Sequence, residues 1–306
     1  MMALFTFPLW IFLARTTDRL GKGLRTAARD ALLSQNATAG TKARVFAFHR
    51  GMDTLGAVAG PLLALTFLHL FPKQYSTLFY LALFPGLVAV ALLFLLKEKP
   101  QPSSSLRKGN FFSYLGYWKV ASPEYRKLVI GLLLFALFNS SDVFLLLKAK
   151  ELTGSDTLTI AAYIFYNGIY AVASYPVGIL ADKLGFKMVF TAGLLLFGTV
   201  YFMFAGSGST AAVFLAFFIY GIYAAATEGI AKAWLTNLAP SSDTATAIGF
   251  YTSAQSICTL VASSIAGLLW TAFGSATTFA VTGVASICIF FYMRSGAGDA
   301  RPKNLA

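Results

Sequence analysis

Apolar runs of about twenty residues, separated by short polar breaks, recur along almost the whole chain. At ~1.5 Å per helical residue, a run of that length crosses the ~30 Å hydrocarbon layer of a bilayer. The pattern predicts nine helical spans, over residues 9–33, 45–70, 75–96, 128–147, 157–181, 188–205, 210–235, 245–270 and 276–293. The breaks are short except for a basic stretch containing Pro100, Pro102 and Ser103 to Ser105, which reads as a linker. The expected organisation is a three-span unit over 1–97, a linker over 98–126, and a six-span unit over 127–306.

The first span departs from the pattern. Between Arg15 and Asp30, seven of sixteen residues are charged: Arg15, Asp18, Arg19, Lys22, Arg25, Arg29 and Asp30. At ~100° per residue they fall within an arc of roughly 140°, with Leu13, Leu20, Leu24, Ala28 and Leu32 opposite. A charge facing lipid at the helix centre costs about 2.5–3.5 kcal/mol, so several together on a lipid-exposed face would add on the order of 10 kcal/mol. The strip therefore faces other helices, a water-filled cavity or the cytosol. Its surplus of cations favours an anionic or zwitterionic ligand, since a guanidinium fork matches a carboxylate or phosphate. Part of it has a structural reading instead: Asp18 with Lys22 at i,i+4, Arg50 with Asp53 joining the network, and Arg29 and Asp30 bracing a closed state.

Composition and charge sharpen this picture. Only 12% of residues are charged against about 25% in soluble domains, and mean hydropathy is +0.69, which excludes a soluble domain. The net charge of +12 is explained without nucleic acid by Lys and Arg gathered in alternate connections. Lys42, Arg44, Lys183, Lys187, Arg294 and the linker lysines fall in one set; the other holds only Lys73, Lys148 and Lys150. That asymmetry places the linker and C-terminus in the cytoplasm of a cell-membrane protein. Nine spans then leave Met1 outside with nothing to direct it there, so three further helices are expected upstream. Ala28 to Ser34 parallels Ala231 to Asn237, at the ends of the first and seventh spans, as a duplicated six-helix half predicts. Cys258 and Cys288 both lie in apolar runs and read as buried, reduced thiols. Metal-ligand spacing, a phosphate-binding loop and a nucleophile elbow are absent from the sequence, so neither an enzyme nor a cofactor is expected.

Three stripes of the six-span unit offer polar groups at helical spacing: Tyr163, Tyr166, Asn167, Tyr170 and Ser174; Thr252, Gln255, Ser256, Thr259 and Ser263; and Tyr220, Tyr223, Thr227 and Glu228. They read either as the lining of a cavity facing the charged helix or as helix–helix contacts. Carboxylates inside a membrane span mark functional sites. Asp142, beside Asn139, lies in the outer third of its span, and Glu228 lies one turn before Lys232. Each has two readings. Glu228 is a proton carrier or a fixed pair with Lys232, and Asp142 is a proton carrier or an outer gate.

Three motifs resemble elements of the major facilitator superfamily of secondary transporters. Gly178-Ile-Leu-Ala-Asp182-Lys-Leu-Gly185-Phe-Lys187 is similar to that family's cytoplasmic loop motif, G-x-x-x-D-x-x-G-x-K/R. Arg15 with Gly21 and Gly23 resembles its fourth-helix R-x-x-x-G-x-G element at a looser spacing, and Gly56-Ala-Val-Ala-Gly60-Pro61 resembles the fifth-helix G-x-x-x-G-P element of antiporters. The double glycine that often follows is replaced by Leu62-Leu63-Ala64. The resemblance implies an all-α, two-bundle membrane fold in which these spans are helices four to twelve of twelve. It implies alternating access, a latch built on Gly178 to Lys187, a small-molecule substrate with protons as the coupling ion, and a monomer. Proton-coupled efflux of a small organic molecule is the leading expectation and uptake of an anionic metabolite the second. From other classes, a lipid-phosphate enzyme or a non-transporting scaffold stands against them.

Overall fold

The computed structural model describes residues 8–38, 40–95, 113–206 and 208–296; within α1, side chains 11–16, 18–20 and 22–24 lie outside that description, as does that of Pro61. Nine helices organise it: α1 (Pro8–Asn36), α2 (Lys42–Leu70), α3 (Tyr75–Leu93), α4 (Pro123–Phe138), α5 (Val143–Thr153), α6 (Asp156–Leu184), α7 (Phe186–Ala205), α8 (Thr210–Leu238) and α9 (Thr244–Gly296). Among the described residues, seven helical stretches are long and apolar enough to cross a membrane, with α4 and α5 counted as one and the whole of α9 as another. Gly274, with φ 83°, turns α9 back on itself, which makes two spans of it. The charge-bearing α1 completes the nine expected from hydropathy.

Local sequence sets the ends of these helices. Ser122, Ser155 and Ser209 each accept a hydrogen bond from the backbone N–H three residues on (Tyr125, Leu158 and Ala212), capping α4, α6 and α8. Pro123 occupies the first turn of α4, where its missing N–H removes no helical bond. Gly154 ends α5 in the left-handed region at φ 65°, which a side chain would strain.

The core lies among α4, α6, α7, α8 and α9. Trp234, Phe190, Phe197, Tyr201, Phe204, Phe217 and Phe279 are fully buried there, with ring pairs such as Phe135–Phe197 at 5.0 Å. The Tyr125 hydroxyl donates to the Ala247 carbonyl at 2.8 Å, tying α4 to α9. α3 buries nothing, and its exposed Leu81, Leu83, Phe84 and Leu87 suit hydrocarbon. Small residues let α2 approach α6 and α8. A Cβ on Gly178 would sit 2.7 Å from the Ala47 Cβ, and one on Gly229 would sit 3.0 Å from the Ala47 Cα.

The structure amends three expectations. The fourth span is not one helix over 128–147: it breaks between Phe138 and Val143, with Asn139 to Asp142 outside regular helix. The C-terminal part of the expected linker is ordered, because Tyr117 is buried and Trp118 stacks on Phe250 at 5.6 Å; residues 98–112 lie outside the described set. Cys258 is half-buried and Cys288 is exposed, so the expectation of two buried thiols fails. α2 stays helical through position 61, and Gly56 and Gly60 meet nothing within 4 Å of an added Cβ, so they mark no close helix contact among the described residues.

Candidate functional site

At the end of the molecule carrying the basic loops, α1 and α2 are fastened to the six-span unit. Asp182, 2% exposed, accepts hydrogen bonds from the backbone N–H groups of Ala43 (2.9 Å) and Arg44 (3.2 Å) and from Arg44 Nε at 2.8 Å. Thr41 precedes α2 without capping it by its side chain, so a residue from another helix satisfies these free donors. Gly178 allows the approach and Gly185 makes the following turn at φ 94°. Lys187 is half-buried and Lys183 exposed beside it. Lys42 Nζ donates to the Thr236 carbonyl at 3.0 Å, adding a tie between α2 and α8.

A second cluster lies one layer in. Asp30, fully buried, binds Lys232 Nζ at 2.6 Å and Arg29 at 3.2 Å. Arg29 also reaches Asp53 at 3.6 Å, where His49 Nε2 lies at 3.5 Å and Arg50 at 4.0 Å. Of these contacts Asp30–Lys232 crosses between the units, whereas Arg29 ties Asp30 and Asp53 within its own unit. His69 is exposed near the far end of α2.

The third cluster joins α2, α6 and α8. Arg50 Nε donates to Glu228 Oε2 at 2.5 Å, and the Tyr170 hydroxyl donates to the same oxygen at 2.9 Å. Arg50 Nε is also 3.0 Å from that hydroxyl. Glu228 therefore does not pair with Lys232, its i,i+4 neighbour; each reaches instead to the other unit, Glu228 to Arg50 and Lys232 to Asp30. Arg50 belongs at the centre of the site, and its signal in the sequence was a charged cluster, His49, Arg50 and Asp53, in a span read only as part of the network around Arg29.

Asp142 forms the fourth cluster, at the break between α4 and α5. Tyr166 and Tyr220 each donate a hydroxyl hydrogen bond to a different carboxylate oxygen, both at 2.6 Å. Asn139 Nδ2 donates to the Tyr223 hydroxyl at 3.2 Å. Asp142 occupies the N-cap position of α5 without capping it, because its carboxylate is turned to the phenols.

A cavity of about 530 Å³ runs between Arg50 and Glu228 on one side and Asp142 on the other. Thr252, Gln255, Ser256 and Thr259 line it as expected, with Tyr223 and Thr227. Ser263 lies deeper and accepts from the Ser141 N–H at 3.3 Å. The stripe on α6 stands behind this wall. The Asn167 amide donates to the Tyr163 carbonyl at 2.9 Å and the Ser174 hydroxyl to the Tyr170 carbonyl at 2.6 Å, so Asn167 is spent within its own helix. Tyr166 and Tyr170 serve the cavity through the carboxylates they hold. From α1, Thr26 reaches the cavity and Lys232 meets it from α8, whereas Arg25 is exposed. The side chains of Arg15, Asp18, Arg19 and Lys22 lie outside the described residues. Among the described residues no cluster of three metal-ligating side chains occurs.

A family model described as Major Facilitator Superfamily matches residues 1–169 and 128–305. An uncharacterized MFS-type transporter of Methanocaldococcus jannaschii is 34% identical over 259 residues, 83% of this chain and 64% of that protein. An uncharacterized protein of Mycobacterium tuberculosis is 36% identical over 98 residues, covering 31% of this chain and 24% of its own length. The chain thus spans less than two thirds of these relatives. Among solved structures, an E. coli fucose:proton symporter superposes with a TM-score of 0.71 at 14% identity, over 89% of this chain and 73% of that one. A human organic anion transporter gives 0.70 at 15% identity, over 87% and 67%.

Proposed function

The chain belongs to the major facilitator superfamily, and from that premise we propose a secondary transporter working by alternating access, with protons as the coupling ion and export of a small organic molecule as its direction. The carrying observation is the one-sided closure. The two units meet through Asp182, Asp30–Lys232 and Arg50–Glu228, while beyond Thr54 no described residue of α2 is buried. Described contacts between the units gathered at the basic end are what one limb of an alternating-access cycle requires. With the basic loops cytoplasmic, this limb is outward-open.

Arg50–Glu228 supplies a route to coupling. The pair bridges the two units, so opening the basic end separates it. A proton on the Glu228 carboxylate removes the negative charge that holds Arg50 across the two units. Protonation of Glu228 therefore favours separation at that end, and release of the proton favours closure. The outward direction rests on the likeness of Gly56 to Pro61 to the antiporter element.

The described cations do not carry the anionic-substrate expectation further. Arg50 and Lys232, which face the cavity, each have a carboxylate partner. The proposed protein is a monomer in the cell membrane with a cytoplasmic C-terminus. Proteoliposomes of the full chain under an imposed pH gradient test the reading. Gradient-driven flux from a panel of small organic cations and anions is expected, with at least a tenfold loss in Glu228→Gln. Equal flux in both proteins would remove Glu228 from the coupling step.

A further inference from the structure

The next step rests on the transport reading and concerns what the cavity takes. Among the described residues, Asp30 pairs with Lys232, Glu228 with Arg50 and Asp53 with Arg29. Asp142 faces the same cavity with no cation within ion-pair distance among the described residues. Arg50 and Glu228 lie across from it, but they bridge each other, so their charges largely cancel. Asp142 is left as the uncompensated charge of the described wall.

Its surroundings narrow the chemistry. Tyr166 and Tyr220 take one lone pair from each oxygen. An ionised carboxylate has about four acceptor sites, so about two stay open. The helix break brings the group to the cavity surface beside Asn139 and next to the rings of Phe135 and Tyr223, which are 6.1 Å apart and line the same wall. Aromatic faces attract a cation within about 6 Å, and they also cover an apolar body. A hydrated inorganic ion uses the carboxylate and gains little from the rings. An organic ammonium uses both, N–H to the open lone pairs and carbon skeleton to the rings. The cavity of about 530 Å³ is within the range that takes a small molecule.

We propose that Asp142 is the recognition point for the protonated amine of an organic substrate, seated at the helix break with its apolar body laid against the cavity-facing edge of the Phe135–Tyr223 pair. Equilibrium binding to the purified full chain tests this with tritiated tryptamine and its isostere of opposite charge, indole-3-propionate. Tryptamine is expected to bind at least tenfold more tightly than the acid. Asp142→Asn should weaken it at least tenfold, whereas Cys288→Ser, at an exposed position outside the cavity lining, should stay within threefold. Preference for the acid, absence of binding by tryptamine and phenethylamine alike, or full affinity in Asp142→Asn would overturn the proposal. The wild-type comparison of ammonium with carboxylate needs no variant, so a poorly folded Asp142→Asn protein leaves the outcome decidable. The two readings also fail separately. Tryptamine binding without gradient-driven flux sinks the transport reading alone, and flux of indole-3-propionate without ammonium binding sinks the amine site alone.

Discussion

Neutralising one member of the Arg50–Glu228 pair leaves the other charged in a partly desolvated wall. Each side chain is about 40% exposed, so the expected loss in Glu228→Gln or Arg50→Gln is about 1–3 kcal/mol, less than for a fully buried pair. The double variant should recover most of it, because neither charge is then orphaned. Thermal unfolding of the four proteins checks this, and strict additivity would show that the two residues do not act as a pair. At this scale the carboxylates were legible in the sequence, because Asp142 and Glu228 interrupt apolar runs. Their partners were not. Arg50 lies 178 positions from Glu228, and helical periodicity speaks only for neighbours three or four residues away. Asn167 stood in a polar stripe, but its amide found a carbonyl one turn back, which no wheel projection distinguishes from a cavity-facing group.

Asp182 caps a helix from which it is separated by some 140 positions. Asp182→Ala removes the carboxylate from two backbone donors and Arg44, with an expected cost of about 1–2 kcal/mol, read as a lowered unfolding midpoint. Gly178→Val acts on the same contact through bulk. Its Cβ would sit 2.8 Å from the Arg44 Cα and 3.1 Å from the Ala43 carbonyl, so α2 must move away from α6. Most of the element order was readable because hydropathy fixes where spans lie. The break in the fourth span had a visible signal, Asn139-Ser-Ser-Asp142, a run of residues that compete with helix for backbone hydrogen bonds. An uninterrupted apolar stretch on either side concealed it. Gly56 and Gly60 have no close neighbour among the described residues, and a motif spacing that suits close packing does not state which helix arrives to use it.

At the scale of the whole molecule, the transport reading has closure at the basic end decide which aqueous phase reaches the cavity. With Cys258 and Cys288 first replaced by Ser, a cysteine at Ser256 should react with an impermeant maleimide added from the side opposite the basic loops. Adding Gly178→Val should transfer labelling toward the loop side. Equal labelling from both sides in the parent protein would remove the one-sided closure. The two-unit arrangement was foreshadowed by the long basic break before the six-span unit and by the loop motif at Gly178. Where the two units are fastened was not, since Asp182 with Ala43, Asp30 with Lys232 and Arg50 with Glu228 are each well over a hundred positions apart.

The buried position of Asp30 and Asp182 bears on how the closed end responds to its bathing solution. Mobile ions screen exposed charges over a Debye length of about 8 Å at 0.15 M, but they do not enter between groups sealed from solvent. With 0% and 2% of their side chains exposed, against 40% for Glu228, these two carboxylates are the less open to mobile ions, although their partners Lys232 and Arg44 remain 22% and 35% exposed. Osmotic upshift that raises intracellular salt would therefore weaken the half-exposed Arg50–Glu228 bridge more than the ties at Asp30 and Asp182, so ionic strength acts unequally along the seam between the units.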